Sequence, residues 1–180
     1  MGTQKLLLPY GERTIIESVI QHVFESGLKN LMLVLGANNE EIKKATAHLG
    51  VHYCLNKDHQ DGMLSSVICG FRSIPKDATA ALVYLGDQPD IPPKVTKAVI
   101  KAFNENSKGI VIPVFNNKRG HPLLVDMKYL KDIESLNLEK GLRSLIHLFP
   151  DDVLEVEVDE PEILEDIDTR EDYTKASRKR

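Results

Sequence analysis

The 180 residues contain no apolar run near the roughly 18 that a membrane helix needs. The Leu6-Leu7-Leu8 stretch ahead of Pro9 is also too short for the core of a signal peptide. Cysteine is scarce. Cys54 and Cys69 are the only two, they lack a C-x-x-C spacing, and no histidine cluster accompanies them. These features argue against a zinc site, and two buried, reduced thiols in a cytoplasmic protein are expected. Basic charge is not in excess: 27 Asp and Glu outnumber 23 Lys and Arg, for a net charge of -4, which argues against a general nucleic-acid binder. The one basic run, Lys175-Ala176-Ser177-Arg178-Lys179-Arg180, reads as a solvated end. No linker, repeat or low-complexity tract divides the chain, so one domain over residues 1–180 is expected, with a basic tail at about 175–180. A chain of this length can bury roughly 70% of its unfolded surface around a single core.

What the chain does have is short apolar runs in regular order. Ala80-Ala81-Leu82-Val83-Tyr84-Leu85 has no polar alternation and stops at Gly86-Asp87. A run of that length reads as a strand buried on both faces. Gly86 permits a tight turn and close backbone approach. Pro89, Pro92 and Pro93 end any ladder pairing, and Pro93 suits the first turn of a helix. Asp87 is thereby left at the carboxyl end of a central strand, where open α/β sheets place their ligands. A lone hard carboxylate there suits Mg2+ held jointly with substrate phosphates. A turn or helix-capping aspartate explains the same residue.

Around that strand, Ile15, Ile16, Val19, Ile20, Val23 and Phe24 place a helical face within residues 12–26, and Gly27 ends it. Strands are expected at 31–35, 51–55 and 110–115, with a return strand at 122–125 after the turn Asn116-Asn117-Lys118-Arg119-Gly120. Helices are expected from residue 36 to about 48, over 63–72 and 93–103, and in the stretches 128–133 and 138–149. Val153 to Val158 alternates, with Glu155 and Glu157 on one side, as an edge strand does. Thr169 can cap a last short helix. The strand–helix order predicts a three-layer α/β domain with a mostly parallel sheet.

Several residues could carry chemistry, each with an ordinary alternative. Lys5 could be a surface lysine. Gly62-Met63-Leu64-Ser65-Ser66 opens a helix whose free N–H groups could meet a base edge or a phosphate, or could simply be capped by Ser65 or Ser66. Gly120-His121-Pro122 could be a hairpin turn with a satisfied histidine, and Asp166 and Asp168 stand where helix starts favour acids.

Five motifs taken in order resemble one family. They are Lys5-Leu6-Leu7-Leu8-Pro9, Gly62-Met63-Leu64-Ser65-Ser66-Val67, Gly86-Asp87-Gln88-Pro89, Gly120-His121-Pro122 and Asp166-Ile167-Asp168-Thr169-Arg170-Glu171-Asp172-Tyr173. Together they resemble the MobA-like nucleotidyltransferases, and among them the molybdenum cofactor cytidylyltransferases. The resemblance implies a Rossmann-like domain of the nucleotide-diphospho-sugar transferase type. It implies transfer of a nucleoside monophosphate from an NTP, with CTP favoured, to a phosphorylated acceptor such as molybdopterin, with Mg2+ as cofactor. It assigns Lys5 to the triphosphate, Asp87 and Asp168 to the metal, and Gly62, Ser65, Ser66 and Gly86 to the nucleotide. Gly120, His121 and Pro122 would face the acceptor. A molybdoenzyme or chaperone partner is implied, with neither nucleic acid nor membrane involved. The alternatives are a phosphosugar or other small-molecule acceptor, and a non-catalytic nucleotide-binding module.

One departure accompanies the resemblance. The family's lysine follows a strand and a loop of the form Leu-Ala-Ala-Gly-x-Ser-x-Arg-Met-Gly, of which only Met1-Gly2 has a counterpart here. The fold is therefore expected without its first strand. The strand edges that would flank it would then face a gap, and the activity of the 180-residue chain would be compromised.

Overall fold

The computed structural model describes residues 4–36 and 39–178. The counterpart of the phosphate loop at Met1-Gly2 and the last two residues of the basic tail lie outside the described residues. In chain order the elements are β1 (Pro9–Tyr10), β2 (Arg13–Thr14), α1 (Ile15–Glu25), β3 (Met32–Leu35), α2 (Asn39–Thr46), β4 (His52–Leu55), α3 (Met63–Ser73) and β5 (Ala80–Val83). There follow α4 (Pro93–Glu105), β6 (Ile110–Phe115), β7 (Lys118–Arg119), β8 (Leu123–Asp126), α5 (Leu130–Ser135), α6 (Arg143–Leu148), β9 (Val153–Glu157) and α7 (Arg170–Ser177).

The architecture is α/β, with helices on both faces of the strands. β5 shows why, because successive strand side chains point to opposite faces. Ala81 and Val83 pack into the cluster of Leu64 and Phe71 from α3, Ile133 from α5, and Leu145 and Ile146 from α6. Ala80 and Leu82 pack on the other face, with Val99 of α4 and with Leu154 and Val156 of β9. The strand pairing is mixed. β3 with β4 and β6 with β9 are parallel, while β8 runs antiparallel between β5 and β6.

The sheet is in two pieces. β3 pairs with β4, β5 pairs with β8, and among the described residues no ladder joins β3 to β5. The facing edges of β3 and β5 therefore have no ladder partner among the described residues, and their burial reflects it. Every residue of β5 and all of β3 except Leu35 is only half-buried, whereas the apolar runs predict full burial. Side chains on those strands have covers above and below but no paired strand beside that edge among the described residues.

Smaller differences have local causes. α1 begins at Ile15 rather than near Glu12, because Arg13-Thr14 pairs with Pro9-Tyr10 in a hairpin turned at Gly11, φ +65°. Thr14 and Glu17 then form a reciprocal capping box. The expected helix over 138–149 shortens to α6, since Gly141 takes a left-handed φ of +68°. The two cysteines are not free thiols. α3 packs on β4 and brings Cys54 and Cys69 together as a disulfide, Cα atoms 7.0 Å apart. Sequence spacing carried no sign of that pairing. Cys54 is buried and Cys69 is only half-buried.

Candidate active site

Three segments distant in sequence meet beyond the carboxyl end of β5. Lys5 sits in a single 3-10 turn, Lys5–Leu7, ahead of the β1–β2 hairpin. That turn is held by apolar packing: Leu6, Leu8, Tyr10 and Ile15 cluster with Ile167, Tyr173 and Ala176. Two polar ties fix the hairpin. The Tyr10 hydroxyl donates to Asp90 at 2.7 Å, and the Tyr173 hydroxyl donates to the Pro9 carbonyl at 2.6 Å. The Ile167 N–H donates to the Asp87 carbonyl at 3.0 Å, which delivers Asp168 to the same place. Thr169 then caps α7 through a reciprocal pair with Asp172, as its position predicts.

The outcome is one ammonium between two carboxylates. Lys5 Nζ donates to Asp87 Oδ2 and to Asp168 Oδ1, each at 2.8 Å. The two carboxylate oxygens are therefore no further apart than twice that distance. Burial alone lowers the Lys5 pKa, but the hydrogen bonds to Asp168 and Asp87 and the charge on both outweigh it and hold it above its ordinary value. Lys5 is a fixed positive charge at any working pH. Two hard carboxylates converging at this separation fit Mg2+ or Mn2+, which take one or two carboxylates and fill the rest of the shell with water and substrate phosphate. No cluster of three or more such ligands occurs among the described residues, so a cage made wholly of protein is not what the site offers.

A long cleft of about 2090 Å3 leads up to this cluster. Gly86 and Leu6 line it, while their chain neighbours Asp87 and Lys5, and Asp168, do not. A Cβ on Gly86 would meet Leu6 and Ile16 no closer than 3.4 Å, so this turn does not demand glycine in the way the sequence suggests.

The start of α3 divides the residues expected at the base. Gly62 has φ +94°, a backbone that glycine favours. Ser65 is buried, donates to the Gly62 carbonyl at 2.7 Å and accepts from Asn56 Nδ2 at 2.8 Å. It closes the turn and does not line the cleft. Ser66 accepts from the same Asn56 amide at 3.0 Å and does line it. Asn56, buried and bridging both serines, was not singled out in the sequence. Its place in a polar loop after a short strand resembled any other turn residue.

On the far wall, β7 and β8 run in succession along β6, and the register shifts by two residues across Gly120–Pro122. The interruption turns His121 inward. Its N–H donates to the Ile163 carbonyl at 3.1 Å, and the His121–Pro122 peptide is cis. A Cβ on Gly120 would lie within 3.0 Å of the Ile163 carbonyl oxygen and of two Ile163 side-chain atoms, so only glycine fits. Burial lowers the His121 pKa below 6.5, Asp87 pulls it back up, and Arg143 adds to the lowering. His121 therefore feels the charges of both Asp87 and Arg143, and its lowered pKa favours the neutral ring at pH 7. Arg143 opens α6, is exposed, lines the cleft and has no hydrogen bond or ion pair among the described residues. It too was missed, because an arginine at the start of a six-residue helix carries no motif.

An α/β frame with a lysine and two carboxylates at the carboxyl end of its strands defines a class, that of enzymes handling nucleotide phosphates. Residues 1–155 match the family described as MobA-like NTP transferase domain, and the chain belongs to that family. Molybdenum cofactor cytidylyltransferase of Escherichia coli (strain K12) is 25% identical over 181 residues, covering 99% of this chain and 90% of that protein. Nicotine blue oxidoreductase of Paenarthrobacter nicotinovorans is 27% identical over 180 residues, covering 93% and 84%. Among solved structures, a Mycobacterium tuberculosis H37Rv protein in complex with manganese superposes with TM-score 0.84 at 26% identity, over 98% of this chain and 93% of that one.

Proposed function

We propose that this nucleotidyltransferase transfers CMP from CTP to the phosphate of a small acceptor, with molybdopterin favoured, and releases pyrophosphate with the help of Mg2+. The observation that carries the reading is Lys5 held at 2.8 Å from both Asp87 and Asp168. Support for the substrates comes from the similarity to the cytidylyltransferase of E. coli.

In this reaction an acceptor phosphate oxygen bonds to the α-phosphorus of the NTP, and the bond from that phosphorus to the β-phosphate oxygen breaks. A phosphate monoester is already doubly ionised near pH 7, its second pKa being about 6, so no strong base is needed. Charge cancellation and in-line positioning are what the protein must provide. Lys5 supplies a permanent positive charge to the phosphates. Asp87 and Asp168 would hold the divalent ion, which when bound offsets phosphate charge and orients the oxygens around it. Ser66 lies on the nucleotide side of the cleft. Neutral His121 and Arg143, which has no ion pair among the described residues, also line the cleft, one to hydrogen-bond the acceptor and the other to meet its phosphate.

The two curated relatives are named for different reactions, so transfer itself is the first thing to test. Pyrophosphate release is measured with CTP, GTP and ATP, Mg2+, and either molybdopterin or a sugar phosphate. The expected result is release that needs both substrates and is fastest with CTP and molybdopterin. Faster turnover of a sugar phosphate would move the acceptor assignment, and CTP binding without turnover on any acceptor would replace the enzyme with a nucleotide-binding module.

A further inference from the structure

The disulfide between Cys54 and Cys69 has no part in the chemistry proposed above, yet it closes a loop around the segment that the nucleotide would meet. Cys54 is the third residue of β4, and two residues on, Asn56 places its amide between Ser65 and Ser66. Cys69 follows Ser66 on α3 by about one helical turn. Everything from Asn56 to Ser66, the Gly62 turn included, therefore lies between the two sulfurs.

That segment has few anchors of its own. Of the residues from Lys57 to Gly62 all but His59 are exposed, and Met63 is 68% exposed. Its internal hydrogen bonds are local: the Asp58 N–H donates to Asn56 Oδ1 at 3.0 Å, and the Asp61 N–H to the Asp58 carbonyl at 3.0 Å. Its ties to the rest of the domain run through the Asn56 N–H, bonded to the Leu35 carbonyl at 2.8 Å, through His59 against Gly36, through buried Leu64 and through the bridge. α3 is held separately further along, where Gly70 packs closely on Val34 of β3 and Phe71 enters the core. Opening the bridge would therefore loosen the segment without unfolding the helix.

The surroundings of the sulfurs suit exchange in both directions. Cys54 is buried and Cys69 only half-buried, so an incoming thiolate reaches Cys69 Sγ first. The Ser73 hydroxyl, 3.1 Å from Cys54 Sγ and 2.9 Å from the Cys69 carbonyl, can donate to Cys54 as it departs as a thiolate. Once protonated, the Cys54 thiol has the Cys69 carbonyl at 3.5 Å to donate to. The buried sulfur thus has a polar partner in either charge state. We propose that Cys54–Cys69 is a reversible thiol–disulfide exchange site, reduced by a dithiol, whose state sets how firmly the segment from Asn56 to Ser66 is held. One sulfur of the dithiol bonds to Cys69 Sγ as the bond between the cysteines breaks and Cys54 leaves as a thiolate. The second sulfur then displaces Cys69 and closes the dithiol's own disulfide. Two electrons pass to the cysteines, the dithiol is oxidised, and its two protons end on Cys54 and Cys69. The consequence for nucleotide affinity rests on the reaction proposed above: a looser Ser66 must be ordered when the nucleotide binds, so the reduced form binds it more weakly.

The test equilibrates the folded 180-residue protein in dithiothreitol buffers of graded oxidised-to-reduced ratio. Samples are quenched with acid, alkylated after unfolding and measured by mass. The expected result is a reversible passage between a form that takes up no alkyl group and one that takes up two. Amide hydrogen exchange should be faster in the reduced form at residues 56–66 and unchanged in β6 and β8. CTP affinity, read by calorimetry, should fall at least about fivefold on reduction and return on reoxidation. Cys69→Ser, which leaves Cys54 its Ser73 partner, should exchange like the reduced form and ignore the dithiol; should it fail to fold, the two states of the wild-type protein carry the test. A bridge that the dithiol does not open in the folded protein overturns the proposal, as does reduction that leaves exchange at 56–66 unchanged. Reduction that unfolds the whole domain overturns it too, since the bridge would then be a structural staple. A segment that loosens as expected while CTP affinity is unchanged, or absent in both forms, would uphold the exchange site and remove the nucleotide from this side of the cleft.

Discussion

Replacing Asp87 with Asn keeps the size of the side chain and removes its charge, and the structure separates what that does to stability from what it does to activity. Lys5 would keep Asp168 at 2.8 Å, and the Asn carbonyl could still accept from the ammonium at the place of Asp87 Oδ2. The side chains of Lys5 and Asp87 are 27% and 23% exposed, so their attraction is partly screened by water. Ion pairs of this kind contribute about 1 kcal/mol or less. For a chain of this size that corresponds to a fall in melting temperature of about 2–4 °C. The effect on turnover is of another order, because one of the two carboxylates able to hold a divalent ion beside the phosphates has lost its charge. Loss of a preorganised electrostatic group at a reacting phosphate should lower kcat by about 100-fold to 1,000-fold, or roughly 2.7–4 kcal/mol of barrier. The assays are pyrophosphate release at saturating CTP and Mg2+, a thermal melt, and a Mn2+ titration in which affinity should drop at least about tenfold. A kcat within a factor of about three of wild type, with unchanged Mn2+ affinity, would remove Asp87 from the metal site. A melting temperature lowered by more than about 10 °C would recast Asp87 as a structural residue.

The other expectations draw on the walls of the cleft. Ser66→Ala should raise the nucleotide KM or alter the CTP-versus-GTP preference at nearly unchanged stability, whereas Ser65→Ala should cost about 1 kcal/mol by removing its two hydrogen bonds, to the Gly62 carbonyl and from the buried Asn56 amide. Kinetics and urea melts of the two variants, showing the reverse pattern or identical behaviour, would refute that division of roles. Gly120→Ala pushes a methyl into Ile163 and should destabilise the protein by about 1–3 kcal/mol; an unchanged melt would mean that the residue 161–164 turn yields easily. For His121 the folded pKa lies below 6.5. Between those two values the unfolded chain binds a proton that the folded one does not, so stability falls as pH drops below about 6.5 and levels off under the folded pKa. Urea melts of wild type and His121→Gln across about pH 7.5 to 5 should show that slope reduced in the variant, and parallel profiles would contradict the buried, neutral histidine.

Much of this protein was legible in one dimension. Apolar runs bounded by Gly and Pro located β3, β5 and β6, because burial on two faces leaves a strand with few polar positions. The spacing of Ile16, Val19, Ile20 and Val23 drew the buried stripe of α1, and Thr169 marked the start of α7, since a cap needs only its own neighbours. The motif order at Lys5, Asp87 and Asp168 pointed to one chemistry. What no linear reading could supply was contact between distant residues. Lys5 meets carboxylates 82 and 163 positions away, and the packing of Leu6, Tyr10, Ile167 and Tyr173 is what brings them together. The same holds for the Cys54–Cys69 pair, for the amide of Asn56 between two serines, and for Arg143 near His121. It also decided which serine turns inward, because that depends on which side of α3 faces the Asn56 loop. Local sequence sets backbone preference and pattern, which act over a few residues. The site is made of long-range contacts, and those form only once the apolar faces have found each other.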